Sequence, residues 1–299
     1  MEKLMNWQDC RTMCERVTYC GDYLMVQLYP ARALSAKGSR QKRYRVSREV
    51  QTRLNRKNAC RKLCGLLHTN FTPKDTALHL TYSAEHQPRT AEEAHRNLYN
   101  FIRRMKRAWS KATGQEPAVF KYVEVVEIGR KGKIHHHLVI SGGMKNADIQ
   151  KVWKMGSTRA EALRFDENGI SGLTSYITKD NLRIRYRSWS ASKNLVKPLT
   201  ELHYDRIAIE TALYINENPL YYSNIEQLYP GYTVCPYSVE VSADTLYRSA
   251  PFLAFMMYRT DSSYIHPYNK PNSHEKPYRR NHDNQTTYKR RYQQYFSQC

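Results

Sequence analysis

One short stretch, residues 133–140, constrains the fold more than any other part of the chain. It reads Lys-Ile-His-His-His-Leu-Val-Ile, and the turn-forming Ser141-Gly142-Gly143 follows it directly. Aliphatic and β-branched residues on both sides of the histidines, bounded by a glycine turn, are typical of a β-strand. Because side chains alternate between the two faces of a strand, His135 and His137 share one face, and His136 lies on the other, more apolar face.

Two imidazoles two residues apart on a rigid strand can bind one metal ion when a neighbouring strand supplies a third ligand. The preceding segment, residues 121–128, is also strand-like and carries Glu124 and Glu127. The alternative is a histidine-rich strand whose imidazoles are solvated or hydrogen-bonded. The stretch alone leaves both interpretations open.

The turn between these two strands favours Glu127 over Glu124 as the acidic ligand. A three-residue loop, residues 130–132, places Gly132 at the left-handed position that closes a type I turn with a glycine bulge, and Glu127 then faces His135. A two-residue loop would instead bring Glu124 beside the histidines and turn Glu127 away. That tighter loop needs positive φ at an arginine and a lysine, which tolerate it poorly.

Charge and tyrosine content point to a nucleic acid partner. The 299 residues carry a formal net charge of +21, and tyrosine outnumbers phenylalanine by 24 to 7. Such a positive excess indicates a polyanionic partner, and tyrosines can stack on the unpaired bases of a single strand. No apolar run approaches the length of a membrane span, and the first residues lack the apolar core of a signal peptide. We therefore expect a cytoplasmic protein with no membrane partner.

Seven cysteines, an odd number in a reducing compartment, argue against a disulfide framework. A small zinc site is an alternative, but the tight CxxC pairing of common zinc modules is missing. Free thiols are the expectation. The cysteines available for such a zinc site are Cys10, Cys14, Cys20, Cys60 and Cys64.

The order of predicted elements indicates an α+β fold with a central antiparallel sheet flanked by helices. Residues 1–20 are expected to be a loosely ordered lead-in with a short helix, and 201–260 a segment that packs on the sheet. Residues 261–299 are rich in Tyr, Arg, Lys, Asn and Gln with almost no aliphatics, which predicts a disordered basic tail. The predicted strands span about 22–29, 76–82, 121–128, 133–140 and 158–165, and the helices about 47–69, 90–109, 146–154 and 171–180.

A second candidate for chemistry lies on the last of these helices. Tyr176 and Lys179 are three residues apart and therefore share a helix face. A neighbouring ammonium favours the phenolate and can offset charge on a phosphate, and a tyrosyl phosphodiester preserves the bond energy needed for rejoining. Taken alone, the pair is better explained as an ordinary surface contact.

Three motifs in order resemble those of the HUH nicking endonucleases, and specifically the single-tyrosine Rep initiators of rolling-circle replication. The strand 78–82 is similar to the first motif, His135-His136-His137 to the second and Tyr176-Ile177-Thr178-Lys179 to the third. Residues 132–137, 165–170 and 189–195 further resemble replication endonucleases on plasmids, phages and integrative elements of Gram-positive bacteria. The likeness covers roughly residues 20–235. His136 departs from the superfamily pattern, which has a bulky apolar residue there.

This resemblance implies an RRM-like nicking domain over residues 21–200 and a mechanism. Mg²⁺ or Mn²⁺ on His135, His137 and Glu127 polarises the scissile phosphate, although imidazole ligands would also accept zinc. Tyr176 attacks, which leaves a 5′-phosphotyrosyl link and a 3′-hydroxyl that primes synthesis, and Lys179 orients the phosphate.

The implied partners are single-stranded or hairpin origin DNA and a host polymerase. A host helicase is expected as well, because the sequence has no phosphate-cradling loop of its own. No small-molecule substrate is expected. The candidate DNA-binding residues are Arg103, Arg104, Arg107, Arg130, Lys131, Arg183 and Arg185.

Other functions stay open at this point. A relaxase or a single-tyrosine transposase shares the chemistry, although such transposases are usually shorter and relaxases tend to have a third histidine in place of the glutamate. A metal hydrolase would not need Tyr176. A non-catalytic DNA-binding protein would need neither the tyrosine nor the histidines.

Overall fold

The computed structural model describes residues 13–30, 48–129, 132–178, 189–204, 206–243 and 251–260. The side chains of 48–53, 176–178, 242–243 and 251 are not part of that description. The fold is α+β, with two antiparallel sheets flanked by helices, as the sequence predicted. The tail predicted to be disordered, 261–299, lies outside the described residues.

The strands and helices are numbered in chain order. The strands are β1 (Met13–Cys20), β2 (Tyr23–Pro30), β3 (Thr76–Thr81), β4 (Tyr122–Ile128), β5 (Ile134–Ile140), β6 (Thr158–Ala162), β7 (Ser190–Ala191), β8 (Leu199–Tyr204), β9 (Tyr232–Val234), β10 (Glu240–Ala243) and β11 (Pro251–Arg259). The helices are α1 (Arg48–Asn70), α2 (Ala91–Thr113), α3 (Asn146–Trp153), α4 (Ser171–Thr178), α5 (Ile209–Glu217) and α6 (Tyr222–Glu226).

The five strands in the order β6-β3-β5-β4-β7 form what we call the histidine sheet. One face packs against α2 and α3, where Phe101 and Trp153 meet Leu80 and Leu138. The other face packs against α1 and carries Val123, Val125 and Val139 in a second apolar cluster. Alternation along each strand therefore gives this sheet two apolar faces.

Helix α2 follows from local signals in the sequence. The Thr90 hydroxyl accepts a hydrogen bond from the Glu93 N–H at 3.2 Å, which caps the first turn as predicted. Its apolar residues recur every three or four positions and are buried. The helix continues to Thr113, past the predicted end near Trp109, and stops at Gly114 with φ of 72°.

The second sheet, which we call the terminal sheet, has the order β10-β11-β2-β1-β8, with β9 paired to β11. Two expectations were wrong here. Residues 13–20 form a strand and not a loosely ordered lead-in, and the described part of 201–260 supplies strands of a separate sheet. The local pattern of β1 is obscured because it carries a buried carboxylate, Glu15, which accepts a hydrogen bond from the Tyr229 hydroxyl at 2.5 Å.

Helix α1 lies between the two sheets and contacts both. Leu63 and Leu67 pack with the valines of the histidine sheet, while Cys64 packs with Cys20 and Tyr23 of the terminal sheet. The described cysteines, Cys14, Cys20, Cys60, Cys64 and Cys235, are free thiols, as predicted. Among the described residues, no helix combines the length and apolarity needed to cross a membrane.

Candidate functional site

The β4–β5 hairpin has the register that the glycine-bulge turn predicts. Glu127 pairs with His135 and Val125 with His137. The Gly129 N–H donates to the Lys133 carbonyl at 2.8 Å, and Gly132 has φ of +76°. Glu127 and the two histidines therefore project from the same face of the histidine sheet.

A third histidine joins them from the strand on the other side. His79 of β3 pairs with His137 of β5, and the two rings stack with centroids 4.6 Å apart and an interplanar angle of 10°. The His135 ring centroid lies 5.4 Å from that of His79. Three imidazoles and one carboxylate, from three adjacent strands, thus share one patch of the sheet, which we call the histidine cluster: His79, Glu127, His135 and His137.

Hydrogen bonding and burial determine the charge state of this cluster. The His137 Nε2 lies 2.5 Å from a Glu127 carboxylate oxygen. Burial lowers the pKa of His137, and the Glu127 carboxylate opposes that shift. Burial, reinforced by His137 and His135, lowers the pKa of His79 to about 4. His79 is therefore neutral at pH 7, the protonation state in which imidazole can bind a metal ion.

The residues of the cluster fit a divalent cation by donor type, since imidazole nitrogens and a carboxylate oxygen bind Mn²⁺, Zn²⁺ and similar ions. The buried Nδ1 atom of His135 has no hydrogen-bond partner in the described part of the chain, so it is available as a ligand. No three His, Cys, Asp or Glu side chains among the described residues already converge as a metal site. Binding would therefore replace the bond between Glu127 and His137.

Glu124 lies on the opposite face of the same strand. It is buried, accepts a hydrogen bond from the Ser190 hydroxyl at 2.7 Å and lies 3.8 Å from the His95 ring. Burial raises its pKa. His136 also lies on this face, fully buried, with its Nε2 atom 2.8 Å from the Tyr82 hydroxyl. The departure from an apolar residue at position 136 is thus accommodated by a polar partner inside the core.

Helix α4 packs on the face that bears the histidine cluster. Leu173 packs in the apolar cluster with Val123 and Val125 of the sheet. The first turn is anchored by His68 of α1, whose Nε2 accepts the Ile170 N–H at 3.1 Å. Tyr176 lies in α4 one turn after Leu173, and its side chain is outside the described set; Lys179 lies outside the described residues altogether.

The structure separates the candidate DNA-binding residues from the histidine cluster where it describes them. Arg103, Arg104 and Arg107 are exposed on α2, which covers the opposite face of the histidine sheet. Arg130, Lys131, Arg183 and Arg185 lie outside the described residues. A role for any of the seven in binding DNA stays a prediction.

Two residues of this face were missed by the sequence analysis. His79 belonged to a predicted strand, but its position beside His137 depends on which strands are neighbours. Arg159 of β6 pairs with His79 on the far side and is held by Glu161 at 2.6 Å. The regular alternation of residues 76–82 was the one available signal, since it placed His79 on the face opposite Leu78 and Leu80.

Comparison with known proteins points to DNA replication. Residues 75–181 match the family model of the replication-associated protein ORF2, which covers about a third of the chain. The matched span runs from β3 to just past α4 and contains all four residues of the histidine cluster together with Tyr176 and Lys179. This part of the chain is therefore similar to replication-associated proteins, and the similarity supports a replication initiator. No curated protein and no solved structure matches the chain.

Proposed function

We propose that the protein is a replication initiation endonuclease that nicks single-stranded origin DNA by a metal-assisted tyrosine nucleophile. The observation that carries the proposal is the hairpin register, which gathers Glu127, His135 and His137 on one face of the histidine sheet. Helix α4, which contains Tyr176, packs on that same face.

The residues that would hold Mg²⁺ or Mn²⁺ are His135, His137 and Glu127. When bound there, the ion supplies Lewis-acid polarisation of the scissile phosphate. The hairpin fixes the backbones of these ligands, so metal binding requires only side-chain rotation.

The proposed nucleophile is Tyr176. Its phenolate oxygen forms a bond to phosphorus while the bond from phosphorus to the 3′-oxygen breaks, and the departing 3′-oxygen takes a proton from water. The products are a 5′-phosphotyrosyl link and a 3′-hydroxyl that can prime synthesis. Lys179 is assigned to orienting the phosphate and stabilising its developing charge. Origin DNA, single-stranded or in a hairpin, a host helicase and a host polymerase are the proposed partners.

The test is a covalent-adduct assay with Tyr176→Phe, single-stranded origin DNA and Mn²⁺. We expect the adduct band to disappear while DNA binding is retained, because only a hydroxyl is removed. Tyr82→Phe is the matched control, since the Tyr82 hydroxyl is bonded to His136 on the opposite face of the sheet. An adduct that persists in Tyr176→Phe would reassign the nucleophile to another tyrosine.

A relaxase is the second candidate, and His79 is the observation that favours it. Relaxases tend to use a third histidine, and His79 stacks on His137 within the cluster. The two candidates differ in which side chain completes the ligand set. If His79→Gln abolishes Mn²⁺-dependent nicking and Glu127→Gln leaves it largely intact, the ligands are three histidines; the opposite pattern supports the Rep-type set.

A further inference from the structure

The terminal sheet has one face that the helices leave partly uncovered. Its other face packs against α5 and α6, through Val17, Leu24 and Phe255. Helix α1 covers the end of the uncovered face near Cys20, where Gly65 lies beside the Cys20 and Met25 sulfurs. The remainder forms a surface that we call the tyrosine face, made of Gln27 and Tyr29 of β2, Cys14, Arg16 and Thr18 of β1, and Thr200, Leu202 and Tyr204 of β8.

Strand register arranges these residues in two rows across the sheet. Cys14 pairs with Tyr29 on one side and with Tyr204 on the other, so the two tyrosines flank a small buried residue. In the next row, Arg16 pairs with Gln27 and with Leu202. Tyr204 is 59 % exposed and Leu202 48 % exposed, although both belong to a paired strand.

The charge of this face suits a polyanion with flat bases. The Arg16 guanidinium lies over the Tyr29 ring, 5.6 Å from its centroid, which leaves a cation between the two tyrosines. The eight residues of the tyrosine face include no carboxylate, because Glu15 and Glu201 alternate to the other side of the sheet. The chain then leaves β2 one residue after Tyr29, and residues 31–47 contain six Lys or Arg and no Asp or Glu.

We propose that the tyrosine face is a second DNA-binding surface, which takes unpaired bases of single-stranded DNA. Aromatic side chains on a sheet surface provide stacking platforms for bases, and a neighbouring arginine contributes a phosphate contact or a further stacking plane. Tyr204 and Tyr29 are the stacking residues, and Arg16 binds the phosphate between the two bases. The surface lies on a different sheet from the histidine cluster and needs neither metal nor nucleophile.

The alternative occupants fit the face less well. A protein partner or a second copy of the chain would be expected on a larger contiguous apolar patch, whereas here Leu202 and the tyrosines alternate with Arg16, Thr18 and Gln27. Residues 31–47 are themselves strongly basic, so they match the charge of a nucleic acid better than that of Arg16.

Fluorescence anisotropy with the full-length protein and a labelled oligothymidine 20-mer tests the proposal, with a chelator present so that nicking cannot consume the probe. Tyr204→Ala should weaken binding by about fivefold or more, since base–aromatic stacking is sensitive to loss of the ring. Tyr204→Phe should bind like wild type, because the ring is kept. Tyr214→Ala is the matched control, an equally exposed tyrosine on α5 at 52 % exposure.

Salt dependence separates stacking from ion pairing. Arg16→Gln should flatten the plot of log affinity against log salt by about one phosphate contact, whereas Tyr204→Ala should lower affinity at every salt concentration without changing the slope. A 5-bromodeoxyuridine probe should photo-crosslink to Tyr29 or Tyr204.

Equal affinities of Tyr204→Ala and Tyr214→Ala, or crosslinks that all map elsewhere, would overturn the proposal. A change in oligomeric state with unchanged DNA affinity would overturn it too, and would assign the face to self-association. Tighter DNA binding by Tyr204→Ala would likewise overturn it and indicate that the chain's own residues cover the face. None of these readouts uses the covalent adduct, so they stand whether or not Tyr176 is the nucleophile.

Discussion

Two glutamates three residues apart on β4 have opposite environments because a strand alternates its faces. Glu127 lies partly exposed in the histidine cluster, whereas Glu124 is buried beside Ser190 and His95. The same residue type is thus offered once to a ligand and once to the core. This contrast makes the pair a matched set for mutation.

We predict that Glu127→Gln loses Mn²⁺-dependent nicking by about 10- to 100-fold or more, the range found when groups supporting a metal site are removed. Glutamine keeps a hydrogen-bonding group for His137 but lacks the negative charge. Glu124→Gln, which keeps an acceptor for the Ser190 hydroxyl, should retain most of the activity. The measurement is the nicking rate as a function of Mn²⁺ concentration. The reverse result would mean that Glu124, and not Glu127, is the acidic ligand.

Glu124→Gln should also change the pH dependence of stability. Burial raises the pKa of Glu124 in the folded protein, so its charged form is disfavoured there and wild type loses stability as pH rises through the folded pKa. Glutamine has no charge to bury. The variant should therefore melt at a higher temperature than wild type above that pKa, and the gain should vanish below about pH 4, where the carboxyl is protonated in both states. A gain that is constant with pH would contradict this prediction.

At the scale of elements, the hairpin between β4 and β5 positions the cluster through one left-handed residue. Gly132 has φ of +76°, and a Cβ there would meet no atom within 4 Å, so any effect of substitution comes from the backbone conformation. Gly114 at the end of α2 has φ of +72° and equally open surroundings. The two glycines therefore differ in location and hardly at all in local cost.

We predict that Gly132→Ala and Gly114→Ala each lower the free energy of unfolding by about 1 kcal/mol, the cost of a side chain in the left-handed region. Only Gly132→Ala should also lower the nicking rate, because only that turn sets the register of Glu127 against His135. Chemical denaturation and single-turnover nicking measure the two effects. Equal nicking by both variants would show that the register does not depend on this glycine.

How far the sequence determined these elements depended on the range of the signal. Helix α2 and the β4–β5 hairpin were predictable, register included, because a capping threonine and a turn glycine act within a few residues. The position of His79 was not predictable, because the local pattern of β3 is silent on which strand lies beside it. Likewise β8 carries no apolar alternation, since Leu202 and Tyr204 are exposed and its pairing with β1 supplies the order.

For the whole molecule, the net charge of +21 predicts that binding to single-stranded DNA falls steeply with salt. Removing residues 262–299 should weaken this non-specific binding and flatten its salt dependence, because the tail contributes Lys and Arg. Nicking of a saturating oligonucleotide should be unchanged. The comparison is made by anisotropy and by adduct formation on both proteins. A folded truncated protein that cannot form the adduct would place part of the active site in the tail.

The terminal sheet joins distant parts of the chain, and this has a consequence for synthesis on the ribosome. Strand β1 pairs with β8, where Cys14 meets Tyr204, and β2 pairs with β11, where Leu28 meets Leu253. The hairpin made first must therefore wait, with Val26 and Leu28 unpacked, until almost all of the described chain has emerged. Since non-local pairing folds slowly, the nascent protein spends most of its synthesis with the histidine sheet able to assemble and the terminal sheet still open.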